Sequence, residues 1–105
     1  MRREQLRASL DLMILASLER ENLHGYALTE QLRHLSGGAI DLATGTIYPA
    51  LHRLEEGKLI KSKPSDVDGR RRRVYSLTTR GQTRLEHELA SWKQMQQTVA
   101  AVLRS

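Results

Sequence analysis

From Leu85 onward, apolar side chains return at Leu89, Trp92, Val99 and Leu103, in steps of four, three, seven and four residues, with Met95 and Gln96 in the middle. That spacing is a heptad-like seam running along about five turns of one helix. A chain of 105 residues has room for one small core. Its earlier apolar stretches suffice to fill that core, so the seam has no cover within the same chain. A second copy packed along Leu85, Leu89, Trp92, Val99 and Leu103 supplies one.

The earlier stretches are helical. Leu10 to Arg20 is apolar nearly all round, as a central core helix would be, with Ser9 as its N-cap and Asp11 in its first turn. Asn22 to Gly25 reads as a turn. Leu28, Leu32 and Leu35 give a second helix one buried stripe, and Gly37 and Gly38 supply a left-handed end. After an extended piece around Ile40 to Leu42, a third helix starts at Thr44 as N-cap and stops at Gly57, with Ile47, Leu51 and Leu54 inward. Pro49 sits one turn inside it and predicts a slightly loosened start. Leu59 to Lys63 and Arg72 to Leu77 are strand-like runs flanking the turn-rich "PSDVDG", which predicts a hairpin. Thr78 caps the last helix.

Three helices, a hairpin and a final helix make a mainly α chain with a small β-hairpin. This is the layout of a winged helix-turn-helix with an added C-terminal dimerisation helix, in which the third helix enters the major groove and the hairpin flanks it. The expected units are residues 1–78, a DNA-binding domain, and 79–105, the dimerisation helix.

Charge points the same way. The chain carries a net +5, and the stretch from Lys58 to Arg80 alone holds eight basic against two acidic residues, so the positive field is local. Within it, Arg70, Arg71, Arg72 and Arg73 repel one another unless an anion is near. As a wing they grip phosphates or enter a minor groove; as a bland surface loop they are simply solvated. On the third helix, Thr44, Thr46, Tyr48, Pro49, His52 and Arg53 lie opposite the apolar stripe. Their hydroxyls, imidazole and guanidinium suit base edges and phosphates, against the alternative of an ordinary solvated face.

Other chemistries find little support. The chain has no cysteine, which excludes disulfides, thiol catalysis and thiolate metal sites, and fits a reducing interior. His24, His34, His52 and His87 show no metal spacing. No phosphate loop, nucleophile elbow or paired carboxylate is present, so neither an enzyme nor a cofactor is expected. The apolar run Leu12 to Leu18 is too short to cross a bilayer, and a cytoplasmic protein without membrane partners is expected. The single tryptophan, Trp92, has two readings. It is plain interface packing, or, where two symmetry-related copies approach, Trp92 with Leu89 and Met95 encloses a flat aromatic molecule.

The segments "HGYALTEQL" (24–32), "GTIYPALHRLEEGKLI" (45–60) and "GRRRRVYSLTTRG" (69–81) together closely resemble the PadR family of bacterial transcriptional regulators in its short form, over residues 8–103. The resemblance implies a dimeric winged-helix protein, most often a repressor, that binds a palindromic operator in double-stranded DNA and leaves it when a small molecule binds. It maps the recognition helix onto Thr46, Tyr48, Pro49, His52 and Arg53, and the wing onto Gly69 to Arg73. "LASWKQM" (89–95) is similar to the stretch of multidrug-responsive members whose paired tryptophans sandwich planar aromatic drugs, which maps onto Trp92. Two departures stand out. Arg71 replaces a common proline, which predicts a more flexible wing, and "LEEGKLI" is missing one glutamate of the usual "LEEEGLI" run and has Lys58 inserted before Leu59. A small-molecule or partner-binding module that kept the scaffold without reading DNA is the competing reading. An RNA-binding domain, short of stacking aromatics in this chain, ranks below both.

Overall fold

The computed structural model describes the backbone of residues 3–42 and 44–105, and the side chains of 9–42 and 46–105. The order is α1 (Arg3–Arg20), β1 (Leu23–His24), α2 (Gly25–Leu35), α3 (Thr44–Glu56), β2 (Ile60–Val67), β3 (Arg70–Leu77) and α4 (Thr79–Arg104).

α1 begins well before the expected Leu10, so Ser9 is an interior residue rather than a cap. The residues ahead of it, "REQLRA", are strong helix formers and extend the helix backward. Leu10, Ile14, Leu15 and Leu18 fill the centre of the core. Ser17 is buried among them and donates its hydroxyl to the Met13 carbonyl at 2.9 Å.

The expected turn at Asn22 to Gly25 is in part a strand. Leu23 pairs with Tyr75 and His24 with Val74, so the hairpin becomes a three-stranded antiparallel sheet in the order β1-β3-β2. His24 then caps α2, its Nδ1 accepting from the Ala27 N–H at 3.2 Å. Leu28 and Leu32 are buried, whereas Leu35, the last helical residue, turns outward. Gly37 and Gly38 have φ of 64° and 88°; the Gly38 N–H reaches the Arg33 carbonyl and the Gly37 N–H that of His34, a Schellman ending.

α3 runs through Pro49 and buries Ile47, Ala50, Leu51 and Leu54. Thr44 is its first helical residue, and its side chain lies outside the described residues. The left-handed residue after this helix is Lys58, at φ 62°, one position beyond the expected Gly57. Lys58 N–H bonds the Glu55 carbonyl and Leu59 N–H that of Leu54, both at 3.0 Å, while buried Leu54 and Leu59 make the accompanying apolar contact.

β2 and β3 pair without a break from Ile60↔Leu77 to Val67↔Arg70. The loop is therefore only Asp68 and Gly69, both at positive φ (50° and 76°), a type I′ turn whose twist matches the strands. "PSDV" is strand rather than tip. Pro64 is tolerated because β2 is an edge strand. Arg71, at the position where proline is common, sits inside this ladder opposite Asp66.

Thr78 caps α4, accepting from the Gly81 N–H at 3.0 Å, and its hydroxyl lies within bonding distance of the Lys58 and Leu59 carbonyls. Its N–H donates to the Leu59 carbonyl at 3.1 Å. Gly81 is where the helix meets that carbonyl: a Cβ there would stand 2.0 Å from the Leu59 oxygen. Leu85 is buried against the core, and most of this 26-residue helix beyond it is exposed.

Candidate nucleic-acid interface

The outward side of α3 carries Thr46, Tyr48, Pro49 and His52, all exposed, with Arg53 at its edge. The structure thus gathers the expected recognition residues on one surface, apart from Thr44, whose side chain is not described. They are not equally free. His52 Nε2 contacts the Glu56 carboxylate one turn on. Arg53 Nη2 donates to Asp11 Oδ1 of α1 at 2.5 Å, so part of its charge is already answered before any phosphate arrives. Tyr48 is 45% exposed, and its ring lies against the start of α2; a Cβ on Gly25 would stand 2.7 Å from the ring. The glycine of "HGY" is thereby explained. It lets α3 press an aromatic ring onto the first turn of α2.

The basic run is distributed by strand alternation. Arg71 and Arg73 share a face with Ser62, Tyr75 and Leu77, the face turned to the core and α3; Arg70 and Arg72 share the opposite face with Lys61, Lys63 and Val74. Arg71 lies 3.8 Å from Asp66. Arg73 donates to the Ser62 hydroxyl at 3.0 Å, and that hydroxyl donates to Glu55 at 2.6 Å, tying the wing to α3. Burial pushes the Tyr75 hydroxyl up from its ordinary pKa, with Glu55 and Tyr48 adding to the effect and Arg73 opposing it, so it stays a neutral phenol in the floor of this region.

On the outer face the Arg72 guanidinium lies over the Tyr26 ring, 5.8 Å from its centroid, and that ring stacks on His24 at 6.4 Å with planes 10° apart. Burial, and then the Arg72 charge, lower the His24 pKa, with Asp68 opposing; a neutral imidazole is what the α2 cap requires. Sequence reasoning missed Asp11, Gly25, His24 and Tyr26 as neighbours of the interface. Their only signal was membership of the quoted "HGY" segment or, for Asp11, a charge on an otherwise apolar helix.

Beyond Leu85, which at 2% exposure belongs to the core of its own chain and is closed to a partner, α4 carries an open apolar stripe. It consists of Leu89, Trp92, Met95, Val99 and Leu103, as expected, joined by Val102. Trp92 stands 51% exposed in the middle. Among the described residues no cluster of His, Asp and Glu is placed to hold a metal, and no helix is long and apolar enough to cross a membrane.

A helix-turn-helix backed by a three-stranded sheet, with a basic two-strand wing beside an exposed third helix, defines a winged-helix protein of the nucleic-acid-binding class. The model of the transcriptional regulator PadR-like family matches residues 14–87. The chain is 38% identical over 98 residues to the transcriptional regulator Rv3488 of Mycobacterium tuberculosis, covering 92% of this chain and 88% of that protein. Among solved structures, it is similar to a PadR-like transcriptional regulator from Bacillus cereus (TM-score 0.86, 30% identity, 97% and 98% of the two chains). It also resembles a PadR family transcription regulator from Clostridium difficile (TM-score 0.79, 34% identity, 89% and 96%). This chain belongs to the PadR-like family of transcriptional regulators, a family not of enzymes.

Proposed function

We propose that this regulator is a repressor that binds a palindromic operator as a homodimer and is released by a small aromatic or drug-like effector. Residues 1–78 are the reading head and residues 79–105 the dimerisation helix. The observation that carries the reading is the open stripe from Leu89 to Leu103 on a helix rooted beside the exit of α3. An apolar face of that length in water is covered by its own kind most economically, because a two-fold seam uses one surface twice. Pairing there points two recognition helices at successive major grooves, about 34 Å apart.

The effector site in this reading is the space between two Trp92 side chains, lined by Leu89 and Met95. A guest that changes the angle between subunits moves the two α3 helices off the half-site spacing and costs binding energy. The competing reading, a winged module that does not recognise DNA, gains some support from the engagement of Arg53 by Asp11 and of His52 by Glu56.

Sedimentation of the full chain, with mobility shift on duplexes from around its own gene and on random duplexes, separates the two. A dimer that prefers one of its own upstream duplexes is expected. A monomer, or equal binding to all sequences, defeats the repressor reading. Quenching of the single tryptophan by a panel of planar aromatics tests the effector site; no quenching by any of them leaves a packed seam.

A further inference from the structure

The four arginines of the wing differ in how much of their charge is already answered. Arg71 stands next to Asp66, and Arg73 is linked through Ser62 to Glu55, so on the inner face each guanidinium has a carboxylate nearby. Arg70 makes no side-chain bond among the described residues and is exposed. Arg72 alone is held in place by a neutral partner, the face of Tyr26. An aromatic face attracts a cation through its quadrupole and leaves the net charge intact, whereas a carboxylate cancels it. It also restricts the rotamers of a long side chain before any anion arrives, which removes part of the ordering cost of binding.

We propose that Tyr26 is a positioning residue: it holds the Arg72 guanidinium, still fully charged, on the outer face of the wing for a DNA phosphate. The pair bridges two parts of the reading head. Tyr26 belongs to the first turn of α2 and Arg72 to β3, so the contact fixes the wing relative to the helix-turn-helix. His24 adds a second contact: its ring stacks on Tyr26 while its Nδ1 caps the same helix. Tyr26 is 58% exposed, more than core packing requires, so the ring is placed for Arg72 rather than to fill the interior. The inference rests on the DNA-binding reading above.

The test uses the full chain, a duplex from its own upstream region and a random duplex of equal length, with affinity measured against salt. Four variants are compared with wild type: Tyr26→Phe, Tyr26→Leu, Arg72→Ala and the Tyr26→Leu/Arg72→Ala double. Tyr26→Phe keeps the ring and binds as wild type. Tyr26→Leu weakens binding about two- to fivefold on both duplexes alike, the fold-change expected when an exposed cation–π contact is lost. Arg72→Ala lowers the slope of log affinity against log salt by about 0.9, one phosphate contact, and adding Tyr26→Leu to it costs nothing more. Equal melting temperatures of the Phe and Leu variants show that the loss is not one of folding. Full affinity in Tyr26→Leu, or losses that multiply in the double variant, overturn the positioning role while leaving DNA binding intact. Failure of the wild-type chain to bind either duplex overturns the DNA reading itself.

Discussion

Replacing Gly81 by alanine places a methyl group 2.0 Å from the Leu59 carbonyl oxygen, 3.0 Å from its carbon and 2.7 Å from Leu77 Cδ1. In an open helix the same change stabilises by about 1 kcal/mol. Here the neighbour is backbone, and it is not free to move: the Leu59 carbonyl accepts the Thr78 N–H at 3.1 Å and lies 3.0 Å from the Thr78 hydroxyl. Relieving the overlap means parting α4 from the α3–β2 turn by more than an ångström. That costs about 1–3 kcal/mol in overpacking. The two weakened hydrogen bonds add about 1 kcal/mol each. Set against the helix gain, the net loss is about 2–4 kcal/mol, or about 10–20 °C in Tm for a chain of this size. Thermal melts followed at 222 nm decide the matter, with wild type and Gly81→Ala at one protein concentration because an associating chain has a concentration-dependent Tm. A variant that melts at or above wild type refutes the close seating of α4 on Leu59.

Gly25→Ala meets a side chain instead of backbone, so the Tyr48 ring swings away at a cost below about 1 kcal/mol in stability. Mobility shift is expected to show reduced preference for operator over random DNA, and unchanged discrimination would mean the position of Tyr48 does not matter for reading. Lys58→Gly removes a non-glycine residue at φ 62° and is expected to raise stability by about 1 kcal/mol in urea denaturation; a lower midpoint would contradict the left-handed assignment. Because the His24 pKa is lowered in the folded chain, the unfolded chain binds the proton more readily. The stability this contributes is present above the ordinary value of 6.5 and is lost as pH falls through the folded value. Melts between pH 7.5 and about 5 are expected to show a steeper decline for wild type than for His24→Asn, which keeps a capping side chain without titrating; parallel curves exclude His24 as the source.

The parts of the molecule with periodicity were legible from sequence. Leu28 and Leu32, one turn apart, and over two or more turns the Ile47–Leu51–Leu54 stripe and the long seam of α4, all follow helical spacing, and together they order the fold. Features of one or two residues were not. β1 is too short to show alternation, and only its pairing with Val74 and Tyr75 makes it a strand. The tip of the wing is narrower than "PSDVDG" suggested because the ladder draws Pro64 to Val67 into β2, leaving the Asp-Gly pair that a type I′ turn favours. Lys58 took the left-handed position because the two hydrogen bonds and the Leu54–Leu59 contact outweigh its intrinsic preference. At the interface the residue types were legible and their partners were not. Arg53 and Asp11 are 42 positions apart, and Arg72 and Tyr26 meet only once β3 lies beside the start of α2.

The joint at Thr78 and Gly81 ties the exit of α3 and the root of α4 into a single bonded corner. A helix of 26 residues is about 39 Å long, so a tilt of about 5° at that corner sweeps its far end through about 3 Å. If two copies pair along α4 as proposed, the helix would act in reverse as a crowbar: a shift of about one atomic diameter between the paired far ends would become a small rotation of the proposed reading head, with the shortness of the corner leaving little slack to absorb it.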